Sequence, residues 1–239
     1  MITLLIIYFS ILIIGIGSLA VLFVMLHKSE EKLPVSWKKT LPLKHFQIGI
    51  SFLLAHLLII LVSELIANYL AFQGIYNSFV LSIGLTLCTP FLFGFLFIYT
   101  QTNWKKYSYV FLYAILIGYF IIGGYYHPDC NLPYSSALLF SCVYFLAALI
   151  HLTDLLVNPK SEHFRFQLSV NISLLIYNIL NGIMTPFHWA YMDQYLPSPE
   201  LIADINYYIT ISYYFALDLI IMNEILKLRR SYTHPSTKA

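Results

Sequence analysis

The sequence predicts an all-α polytopic membrane protein, built as a bundle of seven transmembrane helices. Three observations predict this fold class. Of the 239 residues, 59% are apolar and only 10% are charged. Seven long apolar stretches follow one another along the chain. All 13 Lys and Arg residues fall in alternate connections between these stretches or after the last one, as expected for a chain that crosses a membrane repeatedly.

Each apolar stretch is long enough to be a membrane-spanning helix. A helix rises about 1.5 Å per residue, so about 20 apolar residues cross the hydrocarbon core. We predict spans at residues 3–26, 46–71, 79–100, 107–125, 134–157, 167–187 and 203–226. They form a single transmembrane domain, residues 1–230, followed by a short cytoplasmic tail, residues 231–239. Little of the chain remains for a soluble catalytic or DNA-binding domain, and we expect no nucleic acid among its partners.

The charged residues orient this domain. Basic residues follow the first, third, fifth and seventh spans, whereas the other connections hold only Asp129, Asp193, Glu200 and Asp204. Basic segments stay on the cytoplasmic side during insertion. We therefore expect the N-terminus outside, the C-terminus in the cytoplasm, and a multi-pass protein of a bacterial inner membrane in contact with its lipids. The larger outer connections are 127–133 and 186–199.

The first span carries no charged residue, whereas the second carries polar groups at membrane depth. His56 and Glu64 are eight residues apart, which places them about 80° apart around a helix. Asn68 lies one turn beyond Glu64. An ionised carboxylate is costly in hydrocarbon, so Glu64 should face the bundle interior, pair with another group or be protonated.

The third and fourth spans carry a recognisable pattern. Pro90 and Gly94 predict a kink in the third span. The stretch from Thr89 to Thr100, with the basic turn and aromatic fourth span after it, resembles part of a bacterial sensor family. Those proteins have a seven-helix membrane module ahead of an AraC-type DNA-binding or histidine-kinase domain, and a Pro-x-x-x-Gly-Pro-x-x-x-x-Tyr-like pattern ends their third span. This chain has Phe95 at the second proline, and the similarity covers about residues 80–120.

The resemblance implies a sensor-type membrane module. No output domain follows the seventh span in this sequence. We therefore expect a signal to pass through an inner loop or a separate cytoplasmic or membrane partner.

The last three spans contain the remaining polar groups. His151 and Asp154 end the fifth span. The sixth has a polar stripe with spacings of seven, three and four residues, formed by Asn171, Asn178, Asn181 and Thr185. The seventh has polar positions four residues apart, at Asn206, Thr210, Tyr214 and Asp218. Such groups serve either as hydrogen bonds between helices or as a binding site.

Depth sorts these residues into two predicted clusters. The outer cluster comprises Glu64, Asn68, Asn181, Thr185, His188 and Asn206. The inner cluster comprises His151, Asp154, Asn171 and Asp218.

Metal and cofactor chemistry has little support in the sequence. There is no His-x-x-x-His or Cys-x-x-Cys pair, and His127, Asp129 and Cys130 share a loop without a spaced partner motif. A retinal protein needs a lysine in the middle of its seventh span, but Lys227 lies at the end. We expect no cofactor.

The sequence favours a non-enzymatic, receptor-like or sensory module that binds a small ligand, a lipid or a proton within the bundle. The residues that we expect to form this site are His56, Glu64, Asn68, Asn178, Asn181, Asn206 and Asp218. A proton-coupled transporter would use the same carboxylates as relays. An intramembrane lipid-modifying hydrolase and an assembly subunit remain further alternatives.

Overall fold

The computed structural model describes residues 2–32, 43–74, 78–126, 135–157, 159, 163–192 and 199–233. Its helices are α1 (Ile2–Lys32), α2 (Leu43–Phe72), α3 (Ser78–Tyr99), α4 (Asn103–Tyr126), α5 (Ser135–Val157), α6 (Phe164–Met192) and α7 (Pro199–Thr233). All seven are long and apolar enough to cross a membrane. The predicted fold class is confirmed: the chain is an all-α, multi-pass integral membrane protein. The orientation of its termini stays a prediction.

Several helices extend beyond the predicted spans. α1 continues to Lys32, α6 to Met192 and α7 to Thr233, which includes the first residues assigned to the tail. Hydropathy marks the hydrocarbon core, whereas helical hydrogen bonds continue through the interfacial region. α6 also passes Pro186, where the sequence places an outer connection. Membrane helices tolerate proline when neighbouring groups satisfy the freed backbone.

Two sequence predictions receive no test from these helices. α3 runs without interruption through Pro90, and the kink there stays a prediction. The predicted outer connection 127–133, with Cys130, and residues 193–198 of the predicted connection 186–199 lie outside the described residues.

Six helices pack around an interior in the cyclic order α1, α2, α3, α5, α6, α7 and back to α1. α4 lies outside this ring and packs against α3 and α5. The ring closes between α1 and α7. Tyr8 contacts Tyr214 there, and Ser18 contacts Met222 two to three turns further along. Residue numbers rise together along both helices, so α1 and α7 run parallel.

α3 and α5 form a second parallel pair. Thr89 contacts Tyr144 with 2.6 Å between their hydroxyl oxygens. Thr100 contacts His151 further along both helices, with 3.3 Å between Oγ1 and Nδ1. The chain therefore enters α3 and α5 from the same end of the bundle, and α4 returns it between them.

One face of α1 is buried along most of its length. Its buried positions are spaced by four and three residues in turn, and they are Tyr8, Leu12, Gly15, Leu19, Leu22 and Leu26. This spacing keeps one stripe against neighbouring helices. The stripe lies in the groove between α2 and α7, the two helices that α1 contacts in the ring.

Contacts between helix ends show which termini share an end of the bundle. Gln47 Nε2 lies 3.4 Å from His27 Nδ1, which joins the end of α1 to the start of α2. His163 Nδ1, just before α6, lies 3.9 Å from a carboxylate oxygen of Glu224 near the end of α7. We call this end the basic end, and it carries Lys28, Lys105, Lys106, Arg165 and Lys227.

Candidate functional site

Glu64 of α2 is the carboxylate around which the interior site is built. Its side chain accepts a hydrogen bond from the hydroxyl of Tyr8 on α1. Tyr8 is 2% exposed, so this bond lies within the packed interface between the two helices. Glu64 therefore faces its neighbouring helices, as the sequence predicts for a carboxylate at this depth.

Tyrosines from two further helices lie near Glu64 and Tyr8. Tyr177 of α6, and Tyr207 and Tyr214 of α7, lie within electrostatic range of Glu64. The ring centroids of Tyr8 and Tyr214 are 5.8 Å apart, and those of Tyr177 and Tyr213 are 4.5 Å apart in a stacked pair. We call these five residues, Tyr8, Tyr177, Tyr207, Tyr213 and Tyr214, the tyrosine cluster.

The tyrosine cluster has the chemistry to hold a positive charge beside Glu64. The face of a tyrosine ring carries negative electrostatic potential and attracts cations, and the hydroxyl both donates and accepts hydrogen bonds. Within the described ranges, the ion pairs of Asp154 and Glu224 lie at the basic end, and none includes Glu64. A proton or a small cation is therefore the counter-charge that this site can accept from outside the protein.

A second polar group lies where α2, α3 and α5 meet. His56 is buried, and its Nδ1 lies 3.0 Å from the carbonyl oxygen of Cys88. A carbonyl only accepts, so Nδ1 donates this bond, and Nε2 of the neutral ring is left as an acceptor. Tyr144, which contacts Thr89, also lies within electrostatic range of Tyr177. Polar groups thus continue from the tyrosine cluster towards His56.

Most of the predicted asparagines bond to backbone or to α5. Asn171 Nδ2 donates to the carbonyl of Ala148 on α5 at 2.9 Å. Asn181 Nδ2 lies 3.5 Å from Ser141 Oγ, also on α5. Asn178 Nδ2 donates to the carbonyl of Leu174 in its own helix. The polar stripe of the sixth span therefore pairs α6 with α5, which is the interhelical alternative in the sequence analysis.

The predicted outer cluster is only partly formed. Glu64 contacts tyrosines, and Asn68 Nδ2 donates to the backbone carbonyl of Glu64 at 2.8 Å. Asn206 lies one residue before Tyr207, and its Oδ1 is buried without a hydrogen-bond partner in the described part of the chain. The side chains of Thr185 and His188 are outside the described residues.

The structure places the members of the predicted inner cluster at different interfaces. Asp218 of α7 faces Gly15 of α1 so closely that a Cβ atom on this glycine would overlap its carboxylate. Asp154 instead faces the turn between α3 and α4. It accepts hydrogen bonds from Gln101 N at 2.7 Å and Thr102 Oγ1 at 2.6 Å, and lies 3.3 Å from Lys105 Nζ. Asp154 therefore holds the start of α4 in place.

Sequence reasoning did not find most of the tyrosine cluster. The 20 tyrosines of the chain are concentrated at span ends, where an aromatic belt explains them. Tyr177 and Tyr213 lie well inside the sixth and seventh spans, as does Tyr214, which the polar spacing of the seventh span already singles out. A hydroxyl at that depth needs a partner within the bundle. That requirement is the signal that identifies these tyrosines as interior residues.

Comparison with protein-family models, curated proteins and solved structures finds no match for this chain. Among the described residues, no group of three His, Cys, Asp or Glu side chains could hold a metal ion. The function is therefore inferred from the chemistry around Glu64.

Proposed function

We propose that this protein is a receptor-like seven-helix module of a bacterial inner membrane that senses a proton or a small cation at Glu64. The observation that carries the proposal is the hydrogen bond between Glu64 and Tyr8 inside the tyrosine cluster. The carboxylate lies within electrostatic range of Tyr177, Tyr207 and Tyr214 and has no basic side chain paired with it in the described ranges. The similarity of residues 80–120 to sensor modules supports the same class.

A change in the charge of Glu64 can affect the basic end through Tyr8 and α7. A ligand shifts a protein only by binding one helix arrangement better than another. Neutralising the carboxylate weakens its bond to Tyr8, because a charged acceptor makes the stronger hydrogen bond. Tyr8 contacts Tyr214 of α7, and α7 continues to the basic end. A separate signalling partner would respond there to a changed position of α7.

Infrared difference spectroscopy of the full chain in lipid nanodiscs tests this proposal, because it detects a carboxyl group directly as its charge changes. We apply either a sudden change in pH or a sudden addition of tetramethylammonium. In the wild-type protein, we expect each change to produce a carboxyl band in the difference spectrum. The Glu64→Gln variant should lack this band. The Glu224→Gln variant should keep it, because Glu224 has its own partners, Lys227 and His163, at the basic end. An identical response in wild-type protein and Glu64→Gln would contradict the proposal.

One observation favours a proton-coupled carrier as the second candidate. Tyr8, which bonds to Glu64, and Gly15, which faces Asp218, lie on the same stripe of α1. They are two helical turns apart, about 10 Å. Two carboxylates along one helix interface could pass a charge across the bundle.

Proteoliposomes with an imposed pH gradient separate the two candidates. A carrier should move protons with its substrate, and both Glu64→Gln and Asp218→Asn should abolish this flux. A sensor should show the carboxyl band without flux.

A further inference from the structure

A groove outside the ring interior opens at the basic end, between the first turns of α6 and residues 219–227 of α7. Its volume is about 520 Å³, which lies within the range of about 300–1,000 Å³ typical of small-ligand sites. The groove has a charged part and an apolar part, and it shares no residue with the site around Glu64.

The charged part offers donors from both helices. Arg165 and Ser169 line it from α6, and Asn223 and Lys227 line it from α7. Arg165 and Lys227 are exposed, so an incoming group can reach both. A guanidinium, an ammonium, an amide and a hydroxyl facing one groove form a donor set suited to phosphate oxygens.

One carboxylate limits the charge that the groove can accept. Glu224 also lines it and is held 2.6 Å from Lys227 Nζ. With Arg165 and Lys227 each carrying one positive charge and Glu224 one negative charge, the formal sum is +1. This sum matches a group with a single negative charge, and the carboxylate repels groups that carry more.

The apolar part lies nearer the middle of the membrane. Leu168, Leu219 and Ile220 form its wall, and Leu219 is 56% exposed. Leu219 precedes Lys227 by eight residues, about 12 Å along the helix. A molecule that fills the groove therefore has a charged end at the membrane surface and an apolar end in the hydrocarbon.

We propose that this groove binds one singly anionic phospholipid of the leaflet at the basic end. Its phosphodiester would lie between Arg165 and Lys227, and its acyl chain would run along Leu168 and Leu219. Basic pockets between transmembrane helices recognise lipid headgroups in this way. The site is independent of Glu64 and of the proposed sensing function.

Native mass spectrometry tests the proposal directly. The full chain is reconstituted with equal amounts of phosphatidylglycerol, phosphatidylethanolamine and phosphatidylcholine, and then released into a mild detergent. We expect wild-type protein to retain one phosphatidylglycerol in preference to the two zwitterionic lipids. The Arg165→Gln variant should retain roughly fivefold less of it, since a basic residue near the surface contributes about that factor. The Lys106→Gln variant removes a charge at the same end but outside the groove, and should behave as wild type.

A steric variant separates binding in the groove from general attraction to a basic surface. Leu219→Trp leaves every charge in place and fills the apolar part, so it should also lose the retained phosphatidylglycerol. Monodisperse elution and unchanged helical circular dichroism show that each variant is folded. Equal retention of the three lipids by wild-type protein would overturn the proposal, as would wild-type selectivity in either Arg165→Gln or Leu219→Trp.

Discussion

At the scale of residues, the two carboxylates Glu64 and Asp154 differ in the number of hydrogen-bond donors that the protein places around them. Asp154 has a backbone amide, a hydroxyl and an ammonium around it. Within the described part of the chain, Glu64 has one side-chain hydrogen bond, from Tyr8. A buried carboxylate with several hydrogen-bond donors stabilises the fold, whereas one with a single neutral donor can still bind another partner. This difference assigns Asp154 to structure and Glu64 to the candidate site.

The stabilising role of Asp154 can be tested by removing its charge. The Asp154→Asn variant should be less stable by about 3 kcal/mol, because it leaves Lys105 without its partner and turns an amide group towards existing donors. The thermal midpoint of the full chain in detergent, followed by size-exclusion chromatography after heating, measures this loss. Thr153→Ala is the matched control, because Thr153 is exposed and its hydroxyl bonds only within its own helix. Equal midpoints for Asp154→Asn and Thr153→Ala would show that this carboxylate does not stabilise the turn.

Single residues could be predicted from the sequence only where their chemistry conflicts with lipid. The depth of Glu64 identifies it as an interior residue without knowledge of the fold. Tyr8 gives no comparable signal, because it lies near the end of an apolar span where an interfacial tyrosine is also expected. The partners of Asn178 and Asn181 depend on how α6 is rotated against α5, and no local pattern determines that rotation.

At the scale of elements, α1 shows why hydropathy predicts a span but not its buried face. Residues 2–26 of α1 are apolar apart from Thr3, Ser10 and Ser18, so the sequence contrast that marks one side of a helix in water is largely missing. Packing inside a membrane instead depends on shape, and small residues allow close approach. Gly15 is such a position, because the carboxylate of Asp218 occupies the space beside its Cα.

Gly15 and Gly17 form a matched pair for testing this packing. The Gly15→Ala variant should destabilise the protein by about 1–3 kcal/mol, the usual cost of overpacking an interface. In Gly17→Ala the new methyl group meets nothing within 4 Å, and better helix propensity should leave stability equal or slightly higher. Thermal midpoints in detergent compare the two variants. A Gly15→Ala protein as stable as Gly17→Ala would mean that α1 and α7 are not in this contact.

At the scale of the whole molecule, the number and approximate limits of the helices could be predicted from the sequence, but their neighbours could not. Alternating basic connections predict the direction in which each helix crosses the membrane. They carry no information on which helices touch. The ring order depends on contacts such as that of Tyr8 with Tyr214, between residues that are far apart in the chain.

The orientation of the whole molecule is a prediction that thiol labelling tests. A membrane-impermeant maleimide added to intact cells should label the wild-type chain at Cys130, which the sequence places in an outer connection. Cys130→Ser should remove that labelling. Lys28→Cys, made in the Cys130→Ser background, should react only after the membrane is permeabilised, because Lys28 lies at the basic end. Labelling of Lys28→Cys in intact cells would reverse the orientation.

The position of α4 explains why this bundle has an odd number of crossings. Half of the residues in the spans of α3 and α5 are buried, compared with 22% in α4. α3 and α5 are parallel neighbours, so the chain must recross the membrane between them, and α4 is this return segment. A six-helix ring thereby needs seven crossings, and the start of α1 and the end of α7 lie at opposite ends of the bundle. Groups attached at Ile2 and at Thr233, the first and last described residues, would therefore lie on opposite sides of the membrane.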